Sequence, residues 1–436
     1  MYLPEYVARC LQRLENSGYA CYAVGGCVRD AVLGLTPHDY DLCTAAKPHE
    51  IKAVFAGESM VLAGEKHGTV GIITENGVVE ITTFRTEGGY ADNRHPDWVE
   101  FVDEIEGDLA RRDFTVNAMA YSPIRGFADP FGGREDLKNK VLRAVGQPVQ
   151  RFREDSLRIL RGVRFGVRFG LAPDEKTESA MKELAPLMEN LARERVFDEL
   201  CKLLPLVTAD DLCRYAPILA VVIPELAPTI GFDQHSPHHA YDVFTHTAHV
   251  VQNAPAELAL RWAALLHDIG KVPTFAPDEN GRGHFHGHAQ ESAKMADAVL
   301  QRLKAPTALR ERVVFLIDKH MVLFSTEKKT LRRQLSRWGV EPVQQLIALQ
   351  KADYQSKGVA EEGQPFAEID RLLQEILEEN SCLQLKDLAV NGHDLMALGI
   401  TGKALGETLE SLLGLVLDET LPNEKAALLS AAQKKN

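Results

Sequence analysis

The run Tyr22-Ala23-Val24-Gly25-Gly26-Cys27-Val28-Arg29-Asp30-Ala31-Val32-Leu33-Gly34, continuing to His38-Asp39-Tyr40-Asp41-Leu42, constrains this chain more than any other stretch. Tyr22 to Val24 reads as a short apolar strand, and Gly25-Gly26 as a turn where the backbone can come close to a ligand. Cys27 to Leu33 then opens a helix whose first N–H groups suit a phosphate. Gly34 and Pro37 break the chain. Beyond them Asp39 and Asp41 stand two apart on an extended segment, so their carboxylates share one face. Paired carboxylates beside a phosphate cradle are what a two-Mg²⁺ phosphoryl-transfer site needs, because hard oxygen ligands hold metals that bridge substrate phosphates. Either half alone would be an ordinary turn or a solvated pair of acids.

A chain of 436 residues holds two to four domains with ample core. No apolar run is long enough to span a bilayer, and the amino terminus lacks a basic-then-apolar signal pattern. Seven cysteines are scattered without CxxC pairs, which points to a reducing, cytoplasmic setting and away from a thiolate zinc site. A formal net charge of −13 argues against nonspecific coating of nucleic acid, yet local charge decides RNA binding. Arg143, Arg151, Arg153, Arg158, Arg161, Arg164 and Arg168 fall in one stretch against Glu154 and Asp155. Lys328, Lys329, Arg332, Arg333 and Arg337 form a second basic cluster, either a solvated helix face or an RNA contact.

Met1 to Ser17 has the spacing of an amphipathic helix, with Leu3, Val7, Leu11 and Leu14 on one stripe. Pro48 to Ala56 reads as a helix. Val61 to Ala63, Gly68 to Thr74 and Val78 to Thr83 read as strands, with Asn76-Gly77 as a hairpin turn. Glu80 is a candidate third carboxylate facing Asp39 and Asp41 from a neighbouring strand, or else an edge-strand charge. From Thr86 to Asp108 the chain is polar and turn-rich, the mark of a long irregular loop. Arg111-Arg112-Asp113-Phe114-Thr115-Val116-Asn117 pairs cations with hydrogen-bonding side chains at an expected strand-to-helix transition. Arginine there can take triphosphate oxygens bidentately, and Asp113 can accept from ribose hydroxyls.

Together these stretches resemble the nucleotidyltransferase signature of the polymerase-β-like superfamily, G-G-x-V-R-D followed by D-x-D. They are similar in particular to the branch holding bacterial tRNA nucleotidyltransferases and bacterial poly(A) polymerases. The resemblance implies Mg²⁺ on Asp39 and Asp41, phosphate contacts from Gly25, Gly26 and Arg29, and triphosphate and ribose contacts from Arg111, Arg112, Asp113 and Asn117. Glu154-Asp155-Ser156-Leu157-Arg158 matches the E-D-x-x-R motif, in which Asp155 and Arg158 read the incoming base. Arg161 joins the same nucleotide-binding set. At i and i+3 on one helix the two readers would share a face. Cytosine and adenine offer an amino donor to Asp155 and a ring acceptor to Arg158, whereas guanine and uracil put a carbonyl where Asp155 needs a donor and a ring N–H where Arg158 needs an acceptor. Glu154 and Arg158 also make an ordinary i,i+4 ion pair. Arg193 and Arg195, on a further helix over Ala192 to Leu200, are surface charges or guides for RNA. The family's flexible loop, which helps switch from adding C to adding A, would fall in the polar segment after Thr86.

Leu265-Leu266-His267-Asp268-Ile269-Gly270-Lys271 resembles the HD domain of metal-dependent phosphohydrolases. The family order implies a ligand set of His246, His267, Asp268, His288, His320 and Asp353. Imidazoles with carboxylates suit a divalent transition metal. Lys271 and His286 receive no role. An acidic amphipathic helix over Ala360 to Asn380 and a helical tail follow.

The expected fold is α+β: a mixed-sheet nucleotidyltransferase head (1–145), an all-α neck (146–230), an HD domain (231–358) and a helical tail (359–436). The implied activity is template-independent addition of CCA to the 3′ end of tRNA from CTP and ATP. Rivals are a partial enzyme adding only CC or only A, a poly(A) polymerase, and an HD phosphohydrolase with a tRNA-docking module. Oligomeric state is not legible.

Overall fold

The computed structural model describes residues 1–89, 98–236, 240–359, 365–379 and 382–435. The chain parts into two compact units, one formed by Met1–Val207 with Arg214–Ala227, the other by Thr208–Cys213 with Pro228–Asn436. No helix among the described residues is long and apolar enough to cross a membrane.

The first unit opens with α1 (Glu5–Asn16), which buries Val7, Cys10, Leu11 and Leu14 on one stripe. Its sheet is built from β1 (Cys21–Val24), β2 (Asp41–Thr44), β3 (Met60–Val61), β4 (Thr69–Thr74), β5 (Gly77–Thr83), β8 (Ala120–Ser122) and β9 (Gly126–Ala128). The order is β3-β4-β5-β2-β1-β8-β9, and β2 runs parallel to β5 within otherwise antiparallel pairings. The expected mixed sheet is therefore present. Along β5 the burial alternates strictly: Val79, Ile81 and Thr83 face the core while Val78 and Glu80 face out. That period of two leaves one face of the sheet open for chemistry. Helices α2 (Gly26–Val32) and α3 (Pro48–Val54) follow β1 and β2.

Three local expectations need correction. The β4–β5 hairpin forms, but Thr74 pairs with Gly77, so its two-residue turn is Glu75-Asn76 rather than Asn76-Gly77. The segment after Thr86 is not wholly irregular: β6 (Arg85–Gly88) and β7 (Trp98–Phe101) pair as an antiparallel ribbon. The intervening residues 90–97, where the switching loop was expected, lie outside the described residues. The Arg111–Asn117 motif runs from helix to strand, not strand to helix. It follows α4 (Ile105–Ala110), passes a single 3₁₀ turn at Thr115–Asn117, and enters β8.

After α5 (Gly133–Lys138), capped by Asp129 accepting from the backbone N–H of Gly133 at 2.7 Å, come the neck helices. These are α6 (Pro148–Glu154), α7 (Leu157–Phe169), α8 (Glu175–Leu184) and α9 (Arg193–Leu203). They are not independent of the head. Phe114, fully buried, stands between Phe152 and Phe165, with ring centroids 6.4 and 5.9 Å away. Gly162 of α7 allows this, because a Cβ there would sit 2.9 Å from the Phe114 ring. Burial of such a ring stabilises by roughly 1.5–3 kcal/mol and pins neck to head.

The second unit is helical. It includes α11 (Val243–Asn253), α12 (Leu258–Leu266), α13 (Lys271–Thr274), α14 (His288–Arg302), α15 (Thr307–Lys319), α16 (Lys328–Trp338), α17 (Val340–Gln355) and α18 (Phe366–Glu378), around fully buried Trp262. Before these, α10 (Ala209–Val222) belongs partly to each unit. The second basic cluster is an internal fastening. Arg332 meets Glu379 at 2.7 Å and also pairs with Glu419, Arg333 meets Asp418 at 2.6 Å, and Lys328 pairs with Glu379. These cations are taken up by acids of the tail, which counts against an RNA-binding role.

Candidate nucleotidyl-transfer and metal sites

In the first unit a cleft of about 500 Å³ gathers Gly25, Gly26, Arg29, Asp41, Arg111, Arg112, Asp113, Asn117, Asp155, Arg158 and Arg161. Eleven residues picked from three separate motifs thus share one cavity. Asp39 and Glu80 do not line it but flank Asp41. Asp39 precedes β2 by two residues and is exposed, and Glu80 sits opposite Asp41 in the parallel β2–β5 register. Asp41 keeps contact with solvent, yet its carboxyl is raised above the ordinary value. Loss of water around it is the main cause, Glu80 and Asp39 add to it, and Arg112 opposes them. A carboxyl that resists ionisation beside two further acids fits a divalent cation.

The phosphate side is held by charge pairing. Gly25 has φ +70° and ψ −125°, and Arg112 Nη1 would be 2.5 Å from any Cβ placed there. Arg29 is buried, donates to Asp30 at 2.6 Å and to Asn117 Oδ1 at 2.5 Å, and lies 4.3 Å from the Phe169 ring centroid. Asn117 in turn donates to Asp113 at 3.0 Å, and Arg161 donates to the other oxygen of Asp113 at 2.8 Å. Burial would raise Asp113, but the Arg161 guanidinium and the Asn117 amide hold it down to about 2. Its oxygens are therefore engaged in fixing Arg161 and Asn117, a positioning task distinct from the expected ribose contact.

Sequence reasoning missed Asp108. It is fully buried at the end of α4 and binds Arg111 at 2.8 Å and Arg112 at 3.2 Å. Burial works against its charge, but the two guanidiniums keep it ionised below the usual carboxylate range. Glu87 of β6 adds a second acid on Arg111 at 3.1 Å. The i,i+3 and i,i+4 spacing of Asp108 to Arg111 and Arg112 was the available signal.

Asp155 and Arg158, expected to read the base, have a different geometry from the one the spacing implied. Asp155 does not share a helix face with Arg158: it has extended angles (φ −148°, ψ 101°) at the end of α6, and α7 starts at Leu157. The residues project from either side of this elbow into one cleft. Arg195, read as a surface charge, also lines the cleft and grips Asp155 bidentately at 2.7 and 3.2 Å. Arg158 donates to Glu154 at 2.8 Å and to the carbonyls of Arg151 and Arg111 at 3.2 Å each. Arg164, Phe165 and Arg168 complete the wall.

In the second unit the six expected residues converge. His246, His267, His288 and His320 each direct Nδ1 to a backbone carbonyl, those of Ser356, Ala264, Phe285 and Ile317, at 3.2, 2.8, 2.9 and 2.6 Å. With Nδ1 donating, Nε2 presents a lone pair. Asp268 lies 3.7, 3.2 and 3.5 Å from Nε2 of His246, His267 and His288; Nε2 of His288 and His320 are 3.3 Å apart; Asp353 is 2.9 Å from His246. The ligand atoms fall into two triplets sharing Asp268, His246-His267-Asp268 and Asp268-His288-His320, and lone pairs with a carboxylate so gathered fit a cation. Gly270 lets α14 approach, since a Cβ there would be 2.7 Å from the His288 carbonyl oxygen. Burial and the neighbouring His267 push His320 down to about 4, which favours its neutral, ligating form. Lys271, without a role from sequence, places Nζ 2.7 Å from Asp268 and 2.8 Å from Gln234.

Three family models match the chain: Poly A polymerase head domain over 21–143, a probable RNA and SrmB-binding site of polymerase A over 170–229, and HD domain over 238–358. A CCA-adding enzyme of Latilactobacillus sakei is 33% identical over 97% of this chain and 96% of its own length. One of Geobacillus stearothermophilus is 38% identical over 62% of this chain and 67% of its own length. A crystal structure of a Bacillus stearothermophilus CCA-adding enzyme in complex with CTP, 27% identical, matches with a TM-score of 0.73 over 100% of this chain and 98% of that one. A Thermotoga maritima CCA-adding enzyme complexed with tRNA, 22% identical, shares the fold with a TM-score of 0.61 over 99% of this chain and 96% of that one. With near-complete coverage by the Latilactobacillus relative and a shared head, neck and HD order, this chain belongs to the CCA-adding enzyme family.

Proposed function

We propose that the protein adds CMP, CMP and AMP, without a nucleic-acid template, to the 3′ end of tRNA, using CTP and ATP and releasing pyrophosphate. One observation carries the reading: Asp155 and Arg158 open into the same cleft as Gly25, Gly26 and Asp41, so base choice and phosphoryl transfer share a cavity. Asp39 and Asp41, with Glu80 beside them, would hold Mg²⁺, which lowers the pKa of the attacking hydroxyl and offsets phosphate charge. Gly25, Gly26, Arg29, Arg111 and Arg112 receive the triphosphate. Asp113 and Asn117 lock the arginines in place. Of the five N–H donors of Arg158, three are committed to Glu154 and two carbonyls, leaving two for ring acceptors such as cytosine O2 and N3. Asp155, oriented by Arg195, retains an acceptor for the exocyclic amine and repels a carbonyl oxygen.

The working domain boundaries are a head at 1–145, a neck at 146–230, an HD domain at 231–358 and a tail at 359–436; the matched models cover 21–143, 170–229 and 238–358 of the chain. The two histidine triplets around Asp268, with Asp353 against His246, favour a second capacity: a divalent transition metal on His246, His267, Asp268, His288, His320 and Asp353, serving phosphoester hydrolysis.

The test is nucleotide addition to tRNA ending at its discriminator base, with CTP, ATP or both, followed by sizing of the products. Three added nucleotides with both triphosphates, and none for Asp41→Ala, are expected. Stalling after two, or addition of A alone, would make it a partial enzyme, and long A tracts a poly(A) polymerase.

A further inference from the structure

Beside the main cleft, the β6–β7 ribbon and α6 enclose a second, open groove of about 770 Å³. Trp98 forms one wall and is 52% exposed. Its ring lies on the ribbon backbone at Gly88, where a Cβ would come within 2.6 Å of a ring carbon. No ring stacks on it among the described residues. Across the groove stands Arg153, exposed and without an acidic partner among the described residues. The two acids of the groove are already neutralised, Glu87 by Arg111 and Glu154 by Arg151 and Arg158. What remains is a bare indole face, an unpaired guanidinium and the amide of Gln147. An unpaired nucleotide matches that chemistry: the base stacks, the phosphate meets the cation, and the amide reaches a base edge.

We propose that this groove seats one unpaired nucleotide of the tRNA acceptor end, with Trp98 as the stacking platform and Arg153 as the phosphate contact. The inference rests on the tRNA reading above. Its position supports the assignment, because α6 runs from the groove to the Asp155 elbow, and Glu154, which lines the groove, pairs with Arg158 of the main cleft. Strand leaving the cleft along α6 would meet Trp98.

The experiment measures addition kinetics and fluorescence on the full chain. Trp98→Ala and Arg153→Ala should each raise KM for tRNA lacking CCA, by about tenfold for Trp98→Ala given the usual worth of a stacked base. The KM for CTP and kcat at saturating tRNA should stay within about twofold, and Trp98→Phe should restore most of the affinity. Titrating a single-stranded RNA with the acceptor-end sequence should quench tryptophan emission in the wild type and far less in Trp98→Phe. An unchanged KM for tRNA in Trp98→Ala, or a fall in kcat alone, would overturn the proposal, as would equal quenching in wild type and Trp98→Phe. A wild type that adds no nucleotide would sink the tRNA reading instead, and the RNA titration would still decide the groove.

Discussion

Gly25 shows how one residue can gate a site. At φ +70° and ψ −125° a side chain is strained, and any Cβ would meet Arg112 Nη1 at 2.5 Å. Gly25→Ala should therefore cut nucleotide addition by at least a hundredfold through a displaced Arg112, with little loss of thermal stability. A variant with full activity would show that the turn does not set the arginine. Asp113 makes a different prediction, in pH. Its folded value of about 2 lies below an unfolded value near 4, so it contributes about 2 kcal/mol that is present above pH 4 and lost as pH falls through 2. Melting curves should show Asp113→Asn less stable than wild type by that amount at pH 6, with the gap closing by pH 2. A gap that persists at pH 2 would mean the loss is one of packing and not of charge.

At the scale of elements, the elbow between α6 and α7 sets where Asp155 and Arg158, the proposed base readers, enter the cleft. A continuous helix would have put Asp155 and Arg158 side by side. The break lets Asp155 swing to Arg195 of α9, three helices contributing to one reading head. Asp155→Ala should lower the ratio of CTP to UTP incorporation and slow the correct reaction, because it removes both an acceptor for the amine and a repulsion against the carbonyl. Arg195→Ala should do the same more weakly, leaving the carboxylate in place but unheld. If Arg195→Ala left the ratio and the KM for CTP untouched, the grip on Asp155 would be a structural ion pair only. The sequence did signal this elbow, since Asp155-Ser156 is a cap pair and Asp155 Oδ1 accepts from the backbone N–H of Leu157 at 3.1 Å, but reading the motif as one continuous helix passed over it. The β6–β7 ribbon was hidden, since Trp98 to Phe101 is a short strand set beside a polar run.

At the scale of the whole chain the two chemistries lie in separate compact units. His267→Ala combined with Asp268→Ala should abolish transition-metal uptake, read by elemental analysis of protein incubated with Mn²⁺, Ni²⁺ or Zn²⁺, while CCA addition persists. Uptake equal to wild type would place the metal elsewhere. Local order was legible from residues alone wherever identity forces geometry. The Gly-Gly turn, the period-two strand carrying Glu80 and the amphipathic stripe of α1 could all be read along the chain, since each depends on neighbours a few positions away, whereas the histidine series, spread from His246 to His320, came from the family order. Tertiary structure alone decided the long-range pairings: Glu87 on Arg111, Arg195 on Asp155, Phe114 between neck helices, and the second basic cluster taken up by Glu379, Asp418 and Glu419. A charged side chain carries no mark of its partner in the sequence. Whether it binds a ligand, orients another residue or faces water depends on which opposite charge the fold brings within about 3 Å and how much water it removes.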